Sequence, residues 1–349
     1  MKYIRFGNSG LKVSQIALGT WHLPESNEVD SFNINKVDEP LALNIIKSAI
    51  DNGINFFDTA NIYHGVMQNP DVYHTGNSER ILGKALIGYD RESLVISTKI
   101  MGRMANHPNG IGLSRKYVRW QVNESLKRLK TDYIDILHMH MPDITTPIEE
   151  TLDTLSALVY NGLIYYIGES HFHPYDIIYI LNYSRTVHLQ MISMQEPYNL
   201  IDKYIEKDKI DIARIYGLGI MAYMPLAHGF LSGKYINEIP PMSRFYNNLS
   251  EYINPENIKV LDKINEIARN LDASLAQVSI SYIIRKGELL NIPIVPVVGI
   301  TKIEQLNEIV DSLNLKIPDD YIKMLDDVSL QFKNVPHEDY KRIIKYNIN

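Results

Sequence analysis

Leu94-Val95-Ile96-Ser97-Thr98-Lys99, an amphipathic stretch from Ser114 to Lys130, and Ile134-Asp135-Ile136-Leu137-His138 follow one another as strand, helix and strand. The outer runs are short and rich in Val and Ile, whereas the middle one carries its apolar residues at helical spacing. Such a unit belongs to a parallel sheet covered by helices. The same alternation extends in both directions. Further strands are predicted at Gln15 to Gly19, Asn55 to Asp58, Tyr165 to Glu169, Leu189 to Gln195, Gly219 to Tyr223 and Pro293 to Val298, the last weakened as a central strand by its two prolines. Helices are predicted over Pro40 to Asp51, Asn77 to Leu86, Pro147 to Tyr160, Pro255 to Asn270 and Ser274 to Arg285, several of them opening on a Ser or Asn cap or on Pro. Eight strands predict a closed α/β barrel of the (β/α)8 (TIM) type, forming one domain over residues 1–349. Lys2 to Arg5 and Leu11 to Val13 flank the turn Gly7-Asn8-Ser9-Gly10, which predicts an N-terminal β-hairpin closing the barrel's bottom. Ile236 to Ile253 reads as a long loop.

Composition removes several chemistries. The chain has 349 residues and no Cys, which excludes disulfides, a thiolate nucleophile and Cys-ligated metal. A net charge of −6, with no long block of one sign, offers no surface suited to nucleic acid. Nothing at the N-terminus resembles a targeting core, and no run approaches the roughly eighteen apolar residues of a membrane span. A soluble cytoplasmic protein without a membrane partner is expected.

In such a barrel the reactive groups gather at the C-terminal ends of the strands. The second strand runs into Phe57-Asp58-Thr59-Ala60-Asn61-Ile62-Tyr63, the third ends at Lys99, and the fourth leads to His138-Met139-His140. Asp58, Tyr63, Lys99 and His140 are thereby expected on one rim. His138 shares the face of His140 and reads as a packed core histidine.

These segments resemble the tetrad of the aldo-keto reductase superfamily. The likeness extends through Gly19-Thr20-Trp21, Gly76-Asn77-Ser78-Glu79, Gly168-Glu169-Ser170, Tyr223-Met224-Pro225-Leu226-Ala227, Leu231-Ser232-Gly233-Lys234 and Gly299 to Glu308. The later segments are similar to the branch that includes potassium-channel β-subunits and aryl-alcohol reductases. The resemblance implies an NADP(H)-dependent oxidoreductase acting on a small carbonyl or alcohol substrate, without a metal; a homo-oligomer stays open. Reduction of a carbonyl needs a proton donor beside the oxygen. Tyr63 is that donor, and a phenol of pKa about 10 becomes a better acid beside an ammonium, here Lys99. Asp58 then holds Lys99, and a ring nitrogen of His140 orients the carbonyl.

By the same resemblance Ser170, His171 and Gln195 face the nicotinamide carboxamide, and Tyr223 stacks on the ring. Met224 to Gly229 with Lys234 cradle the pyrophosphate, while Arg244, Thr301, Gln305 and Glu308 lie near the adenosine and its 2′-phosphate. Three positions depart from the pattern: His171 stands where Asn is usual, Thr301 where Ser or Arg is common, and Ile309 where Asn is usual. Arg244 and Lys302 favour NADP over NAD. Met67 to His74 is an insertion expected over the substrate mouth, where Trp21, Tyr73 and Phe172 are candidates either for an apolar lining or for local packing. Two other readings compete. A metal-dependent hydrolase is suggested by His138-x-His140 and His171-x-His173, and a cofactor-sensing binding subunit with slow turnover by the channel-subunit segments.

Overall fold

Strands Val95–Ile100 and Met191–Pro197 are buried at every position, as expected of parallel strands with packed side chains on one face and helices on the other. The computed structural model describes residues 1–66, 72–235 and 252–334. Twelve strands are present among them: β1 (Tyr3–Arg5), β2 (Lys12–Ser14), β3 (Ala17–Gly19), β4 (Glu25–Val29), β5 (Asn35–Val37), β6 (Phe56–Asp58), β7 (Val95–Ile100), β8 (Ile134–Met139), β9 (Ile164–Ser170), β10 (Met191–Pro197), β11 (Gly219–Tyr223) and β12 (Ile294–Gly299). From β3, the parallel strands β6 through β12 follow in chain order and β12 closes on β3, giving an eight-stranded barrel. Pro296 is accommodated because β12 pairs with β11 through Ile294, Val295 and Pro296, and with β3 only from Val297 onward.

Among the described residues the helices are α1 (Glu39–Asp51), α2 (Asn77–Ala85), α3 (Arg115–Leu129), α4 (Ile148–Tyr160), α5 (Pro174–Thr186), α6 (Lys209–Tyr216), α7 (Pro255–Asn270), α8 (Leu275–Leu290), α9 (Ile303–Asp311) and α10 (Asp319–Ser329). Four of these, α5, α6, α9 and α10, are additions to the sequence-based set. On α5 the exposed Tyr175, Ile178 and Tyr179 alternate with the buried Ile177, Ile180 and Leu181, so apolar residues surround the helix and its stripe is blurred. The β4–β5 hairpin was equally silent in the sequence. Its strands are polar, and its turn is held by Asp30, whose carboxylate accepts from the amides of Phe32 at 2.8 Å and Ile34 at 3.0 Å.

The barrel interior changes character along its axis. At the bottom Phe6, Val13, Ala17, Phe56, Val95, Ile136, Ile192, Val295 and Val297 form an apolar layer. A register shift in β10 next to Ile192 allows Ile192 to join this layer while the neighbouring Ser193 joins the polar layer above. The β1–β2 hairpin seals the bottom as expected: Phe6 is fully buried and meets Phe56 edge to face at 5.3 Å. Gly219 is required there, because a Cβ would lie 2.5 Å from the Phe6 ring.

Phe6→Ala should therefore leave a cavity at the barrel floor and cost about 3 to 5 kcal/mol. Guanidinium unfolding of the wild type and variant measures this, and a loss below about 1 kcal/mol would show that the hairpin does not plug the barrel.

Candidate active site

Strand alternation sends Asp58, Lys99 and Gln195 inward at the C-terminal end of the barrel. Lys99 is fully buried, and its three ammonium protons have three acceptors: Asp58 Oδ2 at 2.7 Å, the Thr59 carbonyl at 2.8 Å and Tyr63 Oη at 3.2 Å. Burial opposes the charge on Lys99, but the Asp58 carboxylate and the Tyr63 hydroxyl outweigh it and raise the lysine above its usual range. The other Asp58 oxygen accepts from Gln195 Nε2 at 2.8 Å and Ser97 Oγ at 3.3 Å.

Tyr63 is fixed from behind. Its carbonyl accepts from the Ser78 amide at 3.1 Å, Ser78 Oγ donates to the Thr20 carbonyl at 2.8 Å, and the Thr20 amide donates to the Asp58 carbonyl at 2.9 Å. Its ring meets that of His140 edge to face at 5.6 Å. Burial first, then the charge on Lys99, hold His140 well below its usual range, which leaves a neutral imidazole. Its Nδ1 is buried with no hydrogen-bond partner among the described residues. His138 is a packed core residue, with Nδ1 bonded to Ser97 Oγ at 3.0 Å and Nε2 to Ser193 Oγ at 2.9 Å. Both nitrogens are thereby engaged, which removes His138 as a metal ligand, and the described residues contain no group of three or more His, Asp or Glu suited to a metal ion.

Beside this centre, Ser170 Oγ donates to the Gln195 carbonyl at 2.7 Å, and the His171 ring meets Tyr223 edge to face at 5.6 Å. The following loop has left-handed backbone at Met224, Ala227, His228 and Gly229. Asn199 steadies it by donating Nδ2 to the Met224 carbonyl at 2.9 Å, and the carbonyl of Leu226 accepts from Gly229 at 2.9 Å and Leu231 at 3.1 Å. Pro225 lies within this loop. The Lys234 side chain folds over Gly229, so close that a Cβ there would sit 3.1 Å from Lys234 Cε. Ser279 of α8, whose hydroxyl donates to the Leu275 carbonyl at 2.8 Å, lies 3.5 Å from the Leu231 carbonyl, and Ser274 just before α8 donates to Glu308 Oε1 at 2.6 Å. Through α8 the loop thus adjoins the Gly299 to Glu308 segment. Gly299 itself pairs with Gly19, and Gln305 Oε1 accepts from the amides of Thr301 at 2.9 Å and Lys302 at 3.1 Å, capping α9. Ile309 faces the core, as its apolar side chain requires. Arg244 lies outside the described residues.

At the mouth, Trp21 is 42% exposed, and Tyr73 stacks on Phe32 of the unforeseen β4–β5 hairpin at 5.7 Å. Within the insertion, residues 67–71 lie outside the described residues. Phe172 is 3% exposed and packs in the outer core, so of the two roles open to it, pocket lining or local packing, it takes the second.

Sequence reading missed Ser78 as the link between Tyr63 and Thr20, Asn199, and a buried group formed by Glu169, Glu196 and Lys209. The Glu196 and Lys209 side chains pair directly. The Glu169 carboxyl is pushed up to about 8, first by burial and then by the charge on Glu196, against the pull of Lys209. Between its usual 4.5 and about 8 the folded protein keeps a proton that the unfolded chain has lost, so this group's contribution to stability falls as pH rises through that window and levels off above it. Glu169→Gln removes this dependence. The variant's melting temperature should gain on that of the wild type by roughly 5 °C between pH 5 and pH 9, read by calorimetry; parallel curves would refute the assignment.

A profile of the aldo/keto reductase family matches residues 15–330. A protein of rice named as a probable voltage-gated potassium channel subunit beta is 33% identical over 325 residues, covering 90% of this chain and 92% of its own length. The L-glyceraldehyde 3-phosphate reductase of Escherichia coli K12 is 32% identical over 322 residues, covering 90% of this chain and 88% of its own. A probable aldo-keto reductase of Glycine max is 29% identical over 360 residues, covering 97% of each chain. Together with the closed barrel and the groups on its rim, these matches show that the chain belongs to the aldo/keto reductase family.

Proposed function

We propose that the chain is an NADP(H)-dependent oxidoreductase that reduces an aldehyde or ketone to the alcohol, or catalyses the reverse, with Tyr63 as general acid and base. The observation that carries this reading is the fully buried Lys99 ammonium, which donates to Tyr63 Oη at 3.2 Å while Asp58 and the Thr59 carbonyl take its other protons. A cation so committed has one free consequence: it stabilises negative charge on the phenol oxygen, the charge left when Tyr63 gives its proton to a substrate oxygen. Asp58 keeps the cation in place, and the neutral His140 offers a ring nitrogen to orient the same oxygen.

The residues suit a dinucleotide. Gly19 ends β3 beside Asp58 and is followed by Thr20 and Trp21, while Ser170 ends β9 just before His171, and Gln195 and Tyr223 stand near the ends of β10 and β11. Met224, Ala227, His228 and Gly229 take left-handed backbone in the loop that we assign to the pyrophosphate, with the Lys234 side chain folded over Gly229 to supply a cation. Arg244, Thr301, Gln305 and Glu308 are assigned to the adenosine end, and Arg244 with Lys302 to the 2′-phosphate. When bound, the reduced nicotinamide supplies the hydride. One relative is named as a reductase of L-glyceraldehyde 3-phosphate, so small aldehydes are the class to screen first. A second reading, a cofactor-binding subunit with slow turnover, has support in relatives named as channel β-subunits. The complete Lys99 contact set favours turnover, and steady-state NADPH oxidation across a panel of aldehydes separates the two.

Tyr63→Phe should lower carbonyl reduction by roughly 10²- to 10⁴-fold with NADPH affinity nearly unchanged. Turnover near that of the wild type would remove Tyr63 from the chemistry. Arg244→Ala should weaken NADPH binding by about 1 to 3 kcal/mol more than NADH binding. Equal losses, measured as two dissociation constants, would place Arg244 away from the 2′-phosphate.

A further inference from the structure

We infer that Glu196 and Lys209, with Glu169 beside them, are positioning residues for the nicotinamide end of the cofactor, acting from behind the barrel wall on the left-handed turn at His171. This rests on the functional reading above and extends it to residues that never touch the ligand.

Strand alternation separates the two roles. Gln195 faces the barrel interior, where it donates to Asp58, so the next residue, Glu196, faces the helices outside. Gly168 faces inward against His138, which sends Glu169 outward as well. Both acids are buried, at 0% exposure for Glu169 and 1% for Glu196, and Lys209 at the start of α6 is also fully buried. An ion pair in such a place adds little stability over apolar packing of the same volume. What these groups do hold is specific. Glu196 Oε1 accepts from the His171 amide at 3.2 Å, and Glu169 Oε2 accepts from the Phe172 amide at 3.1 Å. These consecutive amides belong to a turn whose His171 has φ +66°, a conformation that a residue with a Cβ keeps only when its surroundings impose it. The turn sets the His171 ring against Tyr223, while Ser170 just before it bonds the Gln195 carbonyl. The Glu196 carboxylate that holds the His171 amide is itself paired with the Lys209 ammonium.

The test compares two probes on the full chain: NADPH, and 2′-phospho-ADP-ribose, which lacks the nicotinamide. Glu196→Gln keeps the shape but removes the charge that fixes Lys209. It should weaken NADPH about tenfold and leave the fragment within about twofold, by calorimetric titration. Turnover with the best aldehyde should fall with it. The double variant Glu196→Gln with Lys209→Met removes both charges of the pair together, so it tests the idea if the single variant unfolds, and the same selective loss is expected. Equal weakening of both probes, or no weakening of either, overturns the inference. A wild-type protein that binds neither probe overturns the functional reading instead.

Discussion

The interaction on which the site depends is the ion pair between Lys99 and Asp58, sealed inside the barrel with a contact of 2.7 Å. Removing an ammonium from water costs several kcal/mol, and only close pairing with full hydrogen bonding offsets it. Both partners are satisfied here: Lys99 spends one proton each on Asp58, Thr59 and Tyr63, and Asp58 gives its second oxygen to Gln195 and Ser97. That requirement locks three barrel strands, β6, β7 and β10, and the Tyr63 loop into one geometry. It also sets the histidines beside it. His138 and His140 lie in a buried, positively charged neighbourhood and are neutral, one as a spacer between two serines and the other at the rim.

Such a polar group at one end is tolerable because the other end is not polar. Phe6, Phe56 and the aliphatic layer around them close the floor of the barrel, and the outer core packs helices against the sheet. With stability supplied from below and outside, the C-terminal rim can hold backbone conformations that are unfavourable in isolation. Left-handed residues cluster there, at His171, Met224, Ala227 and His228, and each run is held by a side chain from a neighbouring element: Glu196 for the first, Asn199 for the second.

The order of strands, the N-terminal hairpin and the gathering of Asp58, Tyr63, Lys99 and His140 on one rim were legible in the chain, since alternation of short Val- and Ile-rich runs with amphipathic stretches reports burial directly and places the strand ends. The elements that escaped are those whose local pattern conflicts with their place. Polar β4 and β5 are held by an aspartate turn, α5 exposes tyrosines beside its buried face, and α6 has only two turns over which to show a period.

Sequence by itself determined which side chains stand at strand ends, because the two-residue period of a strand assigns each residue to one face once the strand is recognised. Only the tertiary structure decided which distant groups meet. Nothing near Lys209 in the chain announces Glu196, nothing near Tyr73 announces Phe32, and Phe172 is drawn into the core although it directly follows a rim residue. Such contacts arise from closure of the barrel and the packing of helices against it, which bring together residues whose separation in sequence carries no local signal.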